Sequence, residues 1–217
     1  MTLVAFDFDG TLSDSEMTVL LGDRLGVAGE MAEITERAMN DEISYADSLY
    51  QRAGLLEGLT REDAEEAYGE VRLRPGAAEV IESLNEAGVH TAILTGGFER
   101  GVERALSREG VTVDSIVANR LPLEGGELTG EVEGPLIEGT KDDALRRLAS
   151  AHGVDPEETV AVGDGANDLP MLRVAGLAVG FDPKPAVEPH CEETVTTMDD
   201  LRDLLVERGV LEPDTRE

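Results

Sequence analysis

Residues 3–8 are a short, almost wholly apolar run, the pattern of a strand buried on both faces of a parallel sheet, and the run leads directly into Asp7, Asp9 and the turn residues Gly10 and Thr11. From residue 15 to residue 72 the period changes. Met17, Leu20, Leu21 and Leu25 share one face at helical spacing, as do Ile34 and Ala38. Gly22, Gly26, Gly29, Gly54 and Gly58 predict breaks that divide this stretch into several short helices. Thr60 followed by Glu62 and Asp63 predicts a helix start.

At Arg74-Pro75-Gly76 the pattern changes again. It predicts a helix over 77–87, a strand over 89–94, a helix over 98–109 and a short strand over 115–118. Residues 119–134, with paired Gly125-Gly126, read as a β-hairpin. A helix over 140–152, a strand over 159–163, a helix over 168–175, a strand over 177–180 and a helix over 199–208 complete the series, with a frayed tail at 212–217. Strands alternating with helices predict an α/β protein with a doubly wound parallel sheet, whose ligands bind beyond the carboxyl ends of the strands.

The 217 residues suit one large domain, or one domain with an insertion. No apolar run approaches the roughly 20 residues of a membrane helix, and the N-terminus lacks the basic region of a secretory signal, so a cytoplasmic protein with no membrane partner is expected. Cys191 is the single cysteine, which excludes an internal disulfide and a cysteine-rich zinc site. The histidines His90, His152 and His190 lie at no useful ligand spacing. A net charge of −29 argues against nucleic-acid binding, because the field repels phosphate backbones. Only Lys141 and Lys184 are lysines among the 18 basic residues, and aromatics make up 3%. This acidic, lysine-poor, aromatic-poor composition resembles that of salt-in halophilic archaea. Near 1 M salt the Debye length is about 3 Å and self-repulsion is screened, so folding is expected to need high salt.

The strand-end rule gathers three loops at one edge of the sheet: Asp7 and Asp9 after the first strand, Thr95-Gly96-Gly97 after the second apolar run, and Asp164-Gly165-Ala166-Asn167-Asp168 after the strand at 159–163. Lys141 begins a helix between the last two loops. Four carboxylates do not crowd together unaided, since two like charges 4 Å apart repel by about 4 kcal/mol at an effective dielectric of 20. Such a cluster asks for a divalent cation, and hard oxygen ligands favour Mg2+. The lysine, hydroxyl and glycine amides suit an anion, most naturally phosphate. A metal site beside a phosphate site, with a carboxylate to spare, describes phosphoryl transfer to aspartate. An isolated D-x-D or T-G-G is common in ordinary loops. G-D-G-x-N-D after a buried strand is far more specific, and the three in order are more so.

On D-F-D-G-T at 7–11, L-T-G-G at 94–97, Lys141 and G-D-G-A-N-D at 163–168, the chain resembles the haloacid dehalogenase (HAD) superfamily of phosphatases. Within it, the chain most resembles the branch whose substrate is phosphoserine. Glu16, the segment 48–59, G-G-F at 96–98, A-N-R-L at 118–121 and L-T-G-E-V-E-G at 128–134 add to that similarity, which covers nearly the whole chain.

The resemblance implies a Rossmann-like catalytic core over 1–14 and 73–211, with a small helical cap inserted at 15–72. It implies Asp7 as the nucleophile and Asp9 as the acid and base. It implies magnesium held by Asp7, Asp164 and the backbone carbonyl of Asp9. Thr95, Gly96, Lys141 and Asn167 would bind the phosphoryl group, with Asp168 orienting Lys141 or metal-bound water. Glu16 and Arg52 match positions that read the ammonium and carboxylate of phosphoserine, and Met39 and Tyr45 match positions lining the cap side of the pocket. Position 95 is threonine where that branch usually has serine. The hydroxyl is kept, and the added methyl trims the pocket. A phosphatase or phosphotransferase for another small ester remains the alternative. A receiver-type signalling domain would need neither a second aspartate two residues past the nucleophile nor the helical insertion. Monomer and homodimer both stay open.

Overall fold

The strand Leu3–Phe6 (β1) is buried at every position, because helices cover both faces of the sheet in which it sits centrally. The structure is a computed structural model and describes residues 2–39, 42–138 and 140–213. After β1 come four helices, Met17–Leu25 (α1), Ala28–Met39 (α2), Tyr45–Gly54 (α3) and Arg61–Tyr68 (α4). The chain then alternates through Ala77–Glu86 (α5), His90–Phe98 (β2), Glu99–Glu109 (α6) and Ser115–Asn119 (β3). A two-stranded hairpin, Leu123–Glu124 (β4) and Glu127–Leu128 (β5), precedes Lys141–His152 (α7), Thr159–Gly163 (β6), Leu169–Val174 (α8), Leu177–Phe181 (β7), Glu193–Val195 (β8) and Met198–Glu207 (α9).

Six strands pair in the order β3-β2-β1-β6-β7-β8, all parallel. Alternate side chains of β1 divide between two apolar layers. Val4 and Phe6 pack with α5, α6 and α9, while Leu3 and Ala5 pack with α7 and α8. Phe6, Phe8, Phe98 and Phe181 are fully buried, and truncating such a residue to alanine typically costs about 3–5 kcal/mol. The first layer continues without interruption into α1–α4 through Met17, Leu21, Met31, Leu49, Ala53 and Ala67.

Several boundaries differ from the pattern-based expectation. Gly22 and Gly29 do not break helices: Gly22 is buried inside α1, where an added Cβ would lie 3.1 Å from the Met31 side chain, so its lack of a side chain lets α1 and α2 close on each other. Gly26 ends α1 at φ 70°, and Thr60 caps α4 through its side chain, both as expected. β1 stops at Phe6, whereas β2 continues through Gly96-Gly97 to Phe98. β8 was not anticipated. The hairpin has arms of only two residues, held by main-chain bonds to the loop before α4: Gly58 N–H to the Leu128 carbonyl (2.9 Å), Leu128 N–H to Leu59 (2.8 Å) and Arg61 N–H to Gly126 (2.8 Å). Of the predicted tail, 214–217 lie outside the described residues.

Candidate active site

The chain runs outward from β1 through β2 to β3, then returns through α7 to β6 on the other side of β1, so β1 marks the point where the winding reverses. The register pairs Phe6 with Ile93 on β2 and with Val162 on β6. Asp7 therefore leaves β1 beside the turn that carries Asp164, and its N–H still donates to the Val162 carbonyl at 2.8 Å. Thr95 and Gly96 lie in the C-terminal part of β2, at the same edge.

Asp7, Asp164 and Asp168 present carboxylate oxygens that all lie within 4.8 Å of one another, and all three residues are buried. Lys141 reaches this group from the first position of α7 and donates to Asp7 Oδ1 at 2.5 Å and to Asp168 Oδ1 at 2.6 Å. A lysine opposes the positive end of the helix dipole at that position, and this one is only 3% exposed. Asp168 spends its other oxygen on the N–H groups of Asp164 and Gly165, both at 2.9 Å, which shapes the turn after β6. Gly163 makes this possible, since a Cβ there would lie 2.6 Å from the Asp168 carboxylate. Gly10, at φ 88°, meets the same demand on the other side: its Cβ would fall 2.6 Å from Asp164.

The electrostatics follow from burial. Burial first, then the Asp168 charge, holds the Asp7 carboxyl above its ordinary value, against the pull of Lys141. Burial alone would lower the Lys141 ammonium, but Asp168 and Asp7 overcome that and raise it. Asp164 is raised by burial, with Lys184 opposing. Asp9 is raised well above the usual carboxylate range by burial first, then by the charges of Glu16 and Asp7. Its Oδ1 is buried and has no hydrogen-bond partner among the described residues.

Around these groups lie the other sequence-predicted residues. The Thr95 hydroxyl accepts from the Gly97 N–H at 3.0 Å. Asn167 and Lys141 line one wall of an open cavity of about 290 Å³, with Tyr45 and Gly96 also lining it. Glu16 stands at the N-cap position of α1, where its side chain makes no capping bond, and its charge is close enough to Asp9 to raise it. Arg52, on α3, donates to the Thr18 hydroxyl at 3.2 Å, two residues from Glu16. The side chain of Met39 lies outside the described residues. A second hollow of about 300 Å³, between α4, α6 and the hairpin, contains none of these residues.

Three residues at the site carried no expected role. Asn119 ends β3, donates to the Gly96 carbonyl at 3.0 Å and accepts from Leu136 N–H at 3.0 Å, so it fixes the Gly96 peptide. Arg74 donates to the Gly10 carbonyl at 3.1 Å and lies 5.3 Å over the Phe181 ring. Lys184 reaches Asp164 Oδ2 at 3.3 Å. The A-N-R-L stretch pointed to the first, and the scarcity of lysine could have pointed to the last.

A model of haloacid dehalogenase-like hydrolases matches residues 4–173. The chain belongs to this family. It is 55% identical over 210 residues to the phosphoserine phosphatase of Halobacterium salinarum, covering 97% of this chain and 100% of that one. That relative and the acidic, lysine-poor composition agree on a halophilic archaeal source. Among solved structures, a phospho-aspartyl intermediate analogue of phosphoserine phosphatase superposes with a TM-score of 0.86 at 36% identity, covering 95% of this chain and 98% of that one. A substrate-bound phosphoserine phosphatase complex gives 0.86 at 35% identity, covering 95% and 97%. No helix of this hydrolase, among the described residues, is long and apolar enough to cross a membrane.

Hydrolases of this family use a divalent metal, and the donors here fit one. The three aspartates supply only hard oxygen atoms within reach of a single ion. Asp168 is already engaged at both oxygens by Lys141 and two N–H groups, whereas Asp7 and Asp164 each spend one oxygen on a lysine and keep the other, so those two would be the carboxylates to hold a cation.

Proposed function

We propose that this hydrolase is a phosphoserine phosphatase that converts O-phospho-L-serine and water to L-serine and phosphate through an aspartyl phosphate on Asp7, with Mg2+ as its cation. The single observation that favours this chemistry is the pairing of Asp7, held at one oxygen by Lys141, with Asp9, whose buried Oδ1 lacks a partner. A nucleophile needs an ionised carboxylate, and a leaving alkoxide needs a proton donor; burial and neighbouring charge give the two aspartates different surroundings.

Asp7 attacks phosphorus as the P–O bond to serine breaks, and Asp9 delivers its proton to the departing seryl oxygen. Asp9 then takes a proton from water as that water attacks the phosphoaspartate, freeing Asp7 and phosphate. Lys141, the Thr95 hydroxyl, the Gly96 N–H and Asn167 bind the phosphoryl oxygens, and Asp168 keeps Lys141 in place. Asp7, Asp164 and the Asp9 carbonyl would hold magnesium, which when bound would offset the repulsion between the carboxylate and the phosphate dianion. Glu16 faces the substrate ammonium and Arg52 its carboxylate, while Tyr45 closes the pocket. Residues 15–72 act as a cap over a core formed by 1–14 and 73–211. The enzyme works in the cytoplasm.

The test is phosphate release in molar KCl with magnesium, comparing L-phosphoserine with phosphothreonine, phosphoethanolamine and glycerol phosphate. EDTA and Asp7→Asn serve as controls. A preference for phosphoserine that EDTA abolishes, with Asp7→Asn below about one part in a thousand, supports the assignment. Metal-dependent release with no such preference moves the enzyme to another small phosphate ester. Turnover retained by Asp7→Asn removes Asp7 as nucleophile.

A further inference from the structure

The two lysines of this chain end on the same carboxylate cluster, although 16 of the 18 basic residues are arginine. Lys141 bridges Asp7 and Asp168. Lys184 lies outside the motifs that define the family resemblance, and its ammonium sits 3.3 Å from Asp164 Oδ2 and over Gly165, where a Cβ would come within 3.6 Å.

Its position is built by the backbone. Asp182, just past β7, adopts φ 42°, a left-handed conformation unusual for a residue other than glycine. Its N–H donates to the Val195 carbonyl on β8 at 2.8 Å. That turn brings the Lys184 N–H to the Asp164 carbonyl at 3.0 Å, while the Lys184 carbonyl accepts from Val187 at 2.8 Å and from Glu188 at 3.1 Å. Main-chain bonds thus fix the root of the side chain beside the turn that carries Asp164, and the half-exposed side chain extends to that carboxylate.

We infer that Lys184 is a tethered counter-ion for Asp164, which holds the empty metal site together and competes with the divalent cation for that carboxylate. The inference rests on the proposed role of Asp164 as a metal ligand. The charges support it. Three aspartates against Lys141 alone leave an excess of two negative charges, and Lys184 reduces this to one. A cation arriving at Asp164 meets that ammonium, and like charges at such a distance oppose each other. An ammonium suits the task better than a guanidinium, being compact and able to shift aside on a flexible stem. Lys184 is a positioning residue: it acts through Asp164 and does not touch the reacting atoms.

The experiment is calorimetric titration of Mg2+ into the substrate-free full chain for the native protein, Lys184→Met and Lys184→Arg, each in molar KCl and in low salt, taken as the lowest KCl at which circular dichroism shows all three chains still folded. Lys184→Met should bind magnesium about tenfold more tightly in low salt, and the gain should shrink in molar salt, because a half-exposed charge is screened. Lys184→Arg, which keeps the charge, should stay close to the native affinity. With EDTA in low salt, Lys184→Met should also melt below the native protein. Unchanged or weaker magnesium binding by Lys184→Met overturns the inference. If neither the native protein nor Lys184→Met binds magnesium, the metal assignment itself fails, and the inference with it.

Discussion

The Tyr45 hydroxyl occupies the position that a Cβ on Gly96 would take. Gly96 has no unusual backbone angle, so what excludes a side chain there is Tyr45 itself, reaching from α3 across to the end of β2. Burial raises the phenol above its ordinary value, against Lys141 and Arg52, so it stays a neutral hydroxyl. Gly96→Ala should therefore displace the Tyr45 ring and cut kcat/KM by about 10²-fold or more. Tyr45→Phe, which removes only the oxygen, should cost less than about tenfold. The double variant Gly96→Ala with Tyr45→Ala should recover part of the loss of Gly96→Ala alone, the mark of two residues in contact. Fully additive losses would show that the contact does not limit the site.

Arg52 bonds to Thr18 on α1, two residues from Glu16, so the two charges proposed to read the substrate are tied to one place, although neither lines the cavity of about 290 Å³. Arg52→Ala should lower kcat/KM for phosphoserine by about 10²-fold, the cost of removing a charge-assisted bond to a carboxylate. Phosphoethanolamine keeps the ammonium and lacks the carboxylate, so its turnover should fall by less than about fivefold. Equal losses on the two substrates would show that Arg52 does not read the carboxylate.

Much of this architecture was legible in the sequence because each chemical loop follows an apolar strand, and the sheet brings strand ends together whatever their separation. Asp7, Asp164 and Asp168 fell into place by that rule alone, and Thr95 reached the same edge while still inside β2. The missed features depend on contacts between distant segments. Gly96-Gly97 reads as a turn, yet β2 runs through it because Phe98 still pairs with Asn119 on β3. Glu193–Val195 has too few apolar positions to signal a strand, and it forms β8 because β7 offers a free edge. Gly22 reads as a break until Met31 is seen packed against it. Lys184, between two prolines, reads as a solvated turn until Asp164 arrives from another loop.

Asp9 should leave a signature in stability as well as in turnover. Its folded-state value is raised above 3.8, so the ionised form is disfavoured in the native state, and the protein loses stability as pH rises from there toward the folded value. Asp9→Asn keeps the shape of the side chain and removes the buried charge. In EDTA and molar KCl it should melt about 3 °C or more above the native protein at pH 7–8. The gap should close as pH falls below 3.8, where folded and unfolded chains both come to hold the proton. The same variant should lose turnover. A gap equal at both pH values would place its origin in packing instead of ionisation.

Glu65 carries the opposite sign. It lies on α4, 2.6 Å from the Arg100 side chain on α6, and also pairs with Arg104, while Arg108 donates to the Gly69 carbonyl at the end of α4. The bond to Arg100 lowers the Glu65 carboxyl below 4.5 in the face of partial burial, with Arg104 helping. Its stabilisation is therefore present above pH 4.5 and is lost as pH falls through the lower folded value. Glu65→Gln should reduce the melting temperature at neutral pH in moderate salt, and native and variant curves should converge in acid. Molar KCl should narrow the difference too, because the pair is partly exposed. The whole chain should respond the other way. With a net charge of −29, its melting temperature should rise between dilute and molar KCl as self-repulsion is screened, even while this one attractive pair weakens. A series of melting curves across salt for the native protein and Glu65→Gln separates the two effects. A native melting temperature independent of KCl would mean that repulsion among the acidic surface groups does not limit folding.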